Sequence, residues 1–136
     1  MPCAAVAADG SFRILYTLLQ DNRWYVMLAA VSKETCGSQV LYSSDALCHQ
    51  PALLCAEHEL YAAWSAIDET GKFAIHLYKE SSKALRVISE DSHCFRPALA
   101  AEGGRLYLAY DHFGRQQSAV LRVIDGLEEQ RFCLAS

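Results

Sequence analysis

Short apolar runs separated by polar or glycine-containing gaps make up most of this chain, and their spacing is that of an all-β protein. In the last third the runs fall at 97–101, 105–110, 118–124 and 130–135, while the gaps at 102–104, 111–117 and 125–129 hold the Gly, Asp and polar residues that tight turns require. This pattern predicts four short strands joined by hairpins. The first run of each set is rich in alanine (Ala4, Ala5, Ala7, Ala8; Ala52, Ala56; Ala98, Ala100, Ala101), which suits places where neighbouring sheets crowd together. Many run residues are apolar at both parities, as expected of sheets covered on both faces.

The same order of runs recurs along the chain. A shift of 46 residues lays Asp45-Ala-Leu-Cys48-His-Gln-Pro51-Ala-Leu53 over Asp91-Ser-His-Cys94-Phe-Arg-Pro97-Ala-Leu99, matching Asp, Cys, Pro, Ala and Leu without a gap. Leu60-Tyr61-Ala62-Ala63-Trp64 then falls on Leu106-Tyr107-Leu108-Ala109-Tyr110, and the run from Phe73 to Leu77 on that from Ala119 to Val123. A second backward shift recovers a weaker first copy, with Ala5-Val-Ala-Ala8 over Pro51-Ala-Leu-Leu54. The chain thus divides into one domain, 1–136, of three repeats at about 1–44, 45–90 and 91–136.

Composition and charge narrow the classes. With 52% hydrophobic residues, 21% charged residues, seven Gly and three Pro, disordered and collagen-like chains are excluded. Sixteen acidic residues against twelve Lys plus Arg, spread over the whole length, leave no basic stripe for phosphate contacts, so no nucleic acid is expected as a partner. The opening residues lack a charged and apolar leader and no run is long enough to cross a bilayer, so a cytoplasmic protein with no membrane partner is expected. Six cysteines are then read as reduced, mostly buried thiols.

A repeat of this length carrying four antiparallel strands resembles one blade of a β-propeller. More narrowly, the stretch from Arg96 to Tyr110, and that from Gln50 to Trp64, resemble the first two strands of sialidase-like propeller repeats, without the Asp-box turn Ser-x-Asp-x-Gly-x-Thr-Trp between strands three and four. The resemblance implies an all-β half-propeller of three four-stranded antiparallel blades. Three blades do not close a ring, and a lone half-ring leaves two apolar blade faces in water. Two copies related by a twofold axis would complete a six-bladed propeller, with Ser136 of each chain near Met1 of the other. A fragment of a longer propeller, one member of a hetero-assembly and a lone three-repeat solenoid are the alternatives. On the homodimer reading, Val40 and Leu41 of the first copy's outer strand are expected to be covered.

Propeller resemblance also implies that the loops joining strand four to the next strand one, and strand two to strand three, gather at the channel mouth. Those loops hold His49, Gln50, His93, Arg96, Asp21, Asp68, Asp111 and His112, with Trp24, Trp64, Tyr110 and Phe113 nearby. Aromatic rings among hydrogen-bonding groups suit a carbohydrate or another polar small molecule, and Trp64, His49, Gln50, Arg96, Tyr110, Asp111 and His112 are the expected contacts. Solvated loops and core aromatics are the plainer alternative. Sialidase-type catalysis would require an arginine cluster and a Tyr–carboxylate pair; Arg96 and Arg105 are matched in the second copy by Gln50 and Glu59, so no catalytic set is expected. Cys48-His49 and His93-Cys94 match no paired ligand spacing, and neither metal nor cofactor is expected. The leading expectation is a non-catalytic, homodimeric binding protein. A protein-interaction scaffold is the second reading and a sialidase-like hydrolase the third.

Overall fold

A computed structural model describes residues 2–134, which form twelve strands: β1 (Cys3–Val6), β2 (Phe12–Gln20), β3 (Arg23–Val31), β4 (Cys36–Ser44), β5 (Cys48–Ala56), β6 (Glu59–Ile67), β7 (Phe73–Lys79), β8 (Ala84–Ile88), β9 (His93–Glu102), β10 (Arg105–Phe113), β11 (Gln117–Asp125) and β12 (Glu128–Leu134). They pair as three antiparallel four-stranded meanders, β1-β2-β3-β4, β5-β6-β7-β8 and β9-β10-β11-β12. The expected all-β architecture of three blades is the observed one. Met1 and Ser136, on which the expected junction between copies rests, lie outside the described residues.

Turn chemistry explains the hairpins. Asp21-Asn22, Glu57-His58 and Gly103-Gly104 each join two strands with both residues at positive φ, the two-residue turn whose twist matches that of the strands it links. Pro51 and Pro97 sit in bulges, where a strand tolerates a residue with no N–H. His49 pairs with Ser65 and Ala52 with Ala63, so Gln50 and Pro51 together oppose Trp64; Arg96 and Pro97 oppose Tyr110 in the same way. Gln50 and Arg96 take positive φ (57° and 53°) to make the kink.

Pairing register corrects the repeat overlay. Trp64 and Tyr110 correspond, but their partners on the third strand are His76 and Val120, which lie 44 residues apart and not 46. The connection at 68–72 is two residues longer than that at 114–116, which causes the slip. In the first blade Cys3 pairs with Leu15 as Leu54 pairs with Tyr61, so β1 is displaced by five residues from the overlay. Seven residues separate the paired Ala5 and Arg13, against two between Ala56 and Glu59.

The core lies in two seams. Leu15, Val26 and Leu28 of the first blade pack on Leu60, Ala62, Trp64 and Ala66 of the second; Ala63, Ile75 and Leu77 pack on Leu106, Leu108, Tyr110 and Val120 of the third. Arg13 donates to Glu80 across the first seam, and the Ser65 hydroxyl donates to the Cys94 carbonyl (2.7 Å) across the second. Cys48 and Cys94 are fully buried, with burial pushing their thiols up to about 11 and about 12. The other cysteines are less covered than expected: Cys3 and Cys55 are half-buried, Cys36 and Cys133 exposed. Val40 is exposed too, since its edge strand has no neighbour on that side; Leu41 packs on the first seam.

The two end faces are apolar. On the first blade Ile14, Tyr16 and Leu18 share a face with their partners Ala29, Met27 and Tyr25, and on the third Leu121 and Ala119 share one with Phe132 and Leu134. Leu18 is 39% exposed, Phe132 46% and Leu134 56%.

Candidate functional site

A cleft of about 570 Å³ opens at the first seam, between Tyr42 on β4 and the second blade's Ile67, Asp68, Thr70, His76, Val87 and Ser89. Its floor is aromatic. The Tyr42 and His76 rings lie 4.8 Å apart, and the fully buried Trp64 ring stacks beneath His76 at 6.0 Å with 17° between planes. Trp64 and His76 meet because they are direct partners across β6 and β7, and Tyr42 reaches them from the neighbouring blade.

The wall is the 68–72 loop, organised by one carboxylate. Asp68 Oδ1 accepts from the Thr70 N–H (2.8 Å), the Thr70 hydroxyl (2.6 Å) and the Lys72 N–H (3.2 Å), and Oδ2 accepts from the Ser89 hydroxyl (3.0 Å). Burial works against the charge, but these bonds outweigh it and bring the carboxyl down to about 2. Gly71, at φ +81°, closes the turn with its N–H on the Asp68 carbonyl. Glu69 lines the rim.

His76 supplies the directional group. It is 2% exposed, and burial lowers its pKa despite the Ala74 carbonyl and the Asp68 charge, so the ring is neutral at pH 7. Its Nδ1 lies 3.4 Å from the Ala74 carbonyl, which can only accept, and this contact favours the tautomer with the proton on Nδ1. Nε2 is left as a lone-pair acceptor at the cleft floor. Trp64 Nε1, directly beneath, is buried without a hydrogen-bond partner.

The residues expected at the mouth divide into three settings. His49 packs edge-on against Phe73 (5.2 Å) and Phe95 (5.6 Å), its Nε2 buried and unpartnered; burial lowers its pKa. Gln50 Oε1 accepts the Arg96 N–H at 2.9 Å, fixing the second bulge, while the Arg96 guanidinium pairs with Asp111 at 2.5 Å. These four are brought together with His93 and Phe113, whereas His112 is tied to Asp91 at 2.7 Å. Trp64 and Tyr110 lie inside the seams and line no mouth.

At the second seam two arginines converge on a Tyr–carboxylate pair, and a third joins the network only through Glu129, so the set that sialidase resemblance asks for is incomplete. The Tyr110 hydroxyl donates to Glu90 (2.7 Å) and accepts from Arg122 (2.8 Å). Arg122 also binds Glu90 and Glu129, at 2.7 Å each; Arg131 binds both oxygens of Glu90, at 3.1 and 2.5 Å; Arg86 reaches Glu129. Burial resists ionisation of Glu90, yet the bonds from Arg131, Tyr110 and Arg122 hold it at about 2. Tyr110 is 2% exposed with its pKa raised mainly by burial, the reverse of an activated nucleophile. Arg105 is at the other end of β10, against Asp125.

Sequence reasoning named Trp64 and Asp68 but passed over Tyr42, His76 and Ser89. A histidine inside the otherwise apolar Phe73-Ala-Ile-His-Leu-Tyr run was the available signal; the overlay that set it against Arg122 concealed it.

Three antiparallel blades packed face to face through their central strands define a propeller-like all-β protein. No family model matches the sequence, and none of the curated proteins matches it. Among solved structures, a fucose lectin from Kordia zhangzhouensis in complex with methyl-fucoside superimposes with a TM-score of 0.64 over 100% of both chains, at 8% sequence identity. At that identity the likeness is one of fold. It supports the propeller-like architecture without supporting a sialidase-type repeat.

Proposed function

We propose that this chain is a saccharide-binding protein, that its ligand enters the cleft between the first and second blades, and that two copies close a six-bladed ring. The observation that carries the reading is the floor of Tyr42 and His76 over Trp64, bordered by Ser89, Thr70 and a neutral imidazole acceptor. A pyranose has apolar C–H faces that lie on rings and hydroxyls that both donate and accept, and this lining offers both kinds of contact. The sugar bound by the structural neighbour is compatible with it. The mouth is the weaker place, because Arg96 and Asp111 neutralise each other and Gln50 is spent on the Arg96 N–H.

The ring is supported by the two apolar end faces. Hairpin register gives Phe132 the place on the third blade that Tyr42 has on the first, and gives Leu18 the place that Trp64 has on the second. A second copy related by a twofold would cover both faces at once with no open ends.

Calorimetric titration of the intact chain with neutral methyl glycosides, methyl-fucoside among them, tests the site; saturable binding lost in Tyr42→Ala is expected, and no heat with any glycoside would refute the reading. Light scattering tests the ring, with about twice the 15.1 kDa chain mass expected and a stable monomer against it.

A further inference from the structure

The two internal seams bring equivalent strand positions together. Pairing register matches Trp64 with Tyr110, His76 with Val120, and Tyr42 with Arg86. At the first seam these positions hold three rings and leave the cleft. At the second they hold a guanidinium, a phenol and an aliphatic side chain, and Glu90 enters from the connection that follows β8.

We infer that at the second seam the positions equivalent to the first-seam cleft are already occupied by the chain's own charged groups, so that each chain presents one saccharide cleft of this kind; this rests on the saccharide reading. The remaining opening of about 360 Å³ at that seam lies at the opposite end, by Gly104 and Gly126. Arg122 spends Nε on Tyr110, Nη1 on Glu129 and Nη2 on Glu90. Glu90 accepts three bonds on Oε2 and one on Oε1, and its side chain is only 8% exposed. Oε2 of Glu90 is fully engaged, and inserting a sugar there would part a largely buried ion pair, leaving charge uncompensated. The first-seam cleft has no such occupant: neither Lys nor Arg lines it, the Arg13–Glu80 pair of that seam lies outside its lining, and its fixed carboxylate, Asp68, is engaged with its own loop.

A seam closed by a second copy would differ again. Leu18 stands at the Trp64 position and Tyr25 at the His76 position, so the imidazole acceptor is missing. The Asp21-Asn22 turn replaces the five-residue wall at 68–72. A closed ring therefore carries two saccharide clefts, one per chain, and acts as a bivalent cross-linker.

Two measurements on the intact chain test this. In the titration with methyl-fucoside and the other neutral methyl glycosides, one sugar per chain is expected, with NMR shifts at Thr70, His76 and Ser89 and none at the Arg122 or Arg131 side chains. Two or more sugars per chain, or shifts at Arg122, would overturn the inference and leave the saccharide reading intact, while no binding would overturn both. Independently of any sugar, Glu90→Gln should lower Tm by roughly 5–10 °C and Glu69→Gln on the open rim by about 1 °C or less. Equal small shifts would show that Glu90 locks nothing. If Glu90→Gln does not fold, Arg131→Gln serves in its place, with a smaller loss still clearly above that of Glu69→Gln.

Discussion

Replacing His76 with Phe separates binding from folding at the cleft floor. The ring is 2% exposed, and its one hydrogen bond within the chain, Nδ1 to the Ala74 carbonyl, is long at 3.4 Å. Phenylalanine keeps a planar ring between Tyr42 and Trp64 and buries no polar atom. The lost weak bond and the relief of a desolvated imidazole offset each other, so the change in unfolding free energy should stay within about 1 kcal/mol. Binding loses the Nε2 acceptor. One hydrogen bond between neutral partners contributes about 1–1.5 kcal/mol, so affinity for a neutral glycoside should fall roughly 5- to 12-fold. Calorimetry at neutral pH beside a denaturant melt reads both quantities. Unchanged affinity would refute the assignment of Nε2 as the acceptor, and a loss of more than about 3 kcal/mol in stability would make His76 a structural residue. The pH profile adds a signed check. Burial depresses the folded pKa of His76 below its unfolded value near 6.5, so its contribution is present above that value and is lost as pH falls through the folded pKa. His76→Phe should flatten stability on the acid side of 6.5, leaving the smaller share of His49, whose pKa is also lowered.

Three other outcomes follow from the same structure. Glu90 is held at about 2 against an ordinary 4.5, so its contribution is present above 4.5 and is lost as pH falls through 2; the shift converts to at most about 3 kcal/mol, discounted to about 2 for the partly exposed Arg131, and acid denaturation curves of wild type and Glu90→Gln should converge in that window. Phe132→Asp or Leu18→Asp places charge on an end face and should yield a folded species at the chain mass of 15.1 kDa in light scattering, whereas an unchanged dimer would show that copies meet elsewhere. A maleimide at pH 8 should label Cys36 and Cys133 first and reach Cys48 and Cys94 only on unfolding, because burial pushes those two thiols to about 11 and about 12; early labelling of either, read by mass spectrometry, would contradict the packing of the seams.

The fold was largely legible because its information is local. Alternating runs, turn residues and the recurrent Cys-x-x-Pro-Ala-Leu segment are all read within one repeat, and the strands fall within a few residues of the predicted runs. The site was less legible because it depends on register between blades. His76 could be matched with Val120 only once the lengths of the 68–72 and 114–116 connections were known, and Tyr42 touches Trp64 only across a seam. Arg122 and Arg131 could not be foreseen as partners of Glu90, since residues separated by 32 and 41 positions in sequence meet through packing and not through any motif. Trp64 was expected as a ligand contact at the channel mouth, yet it is fully buried in the first seam and packs against His76 and Tyr42, a placement that only the packing between blades decides.

Among the described residues, every ladder joins strands that are consecutive in the chain. Each meander can therefore close hairpin by hairpin, with short loops and little entropy to lose before the first contacts reward it. What remains is rigid-body docking of preformed sheets, and in the two-copy ring proposed above the last of those dockings would be between molecules. Refolding should accordingly show a fast phase independent of protein concentration, followed by a slower one whose rate rises with it.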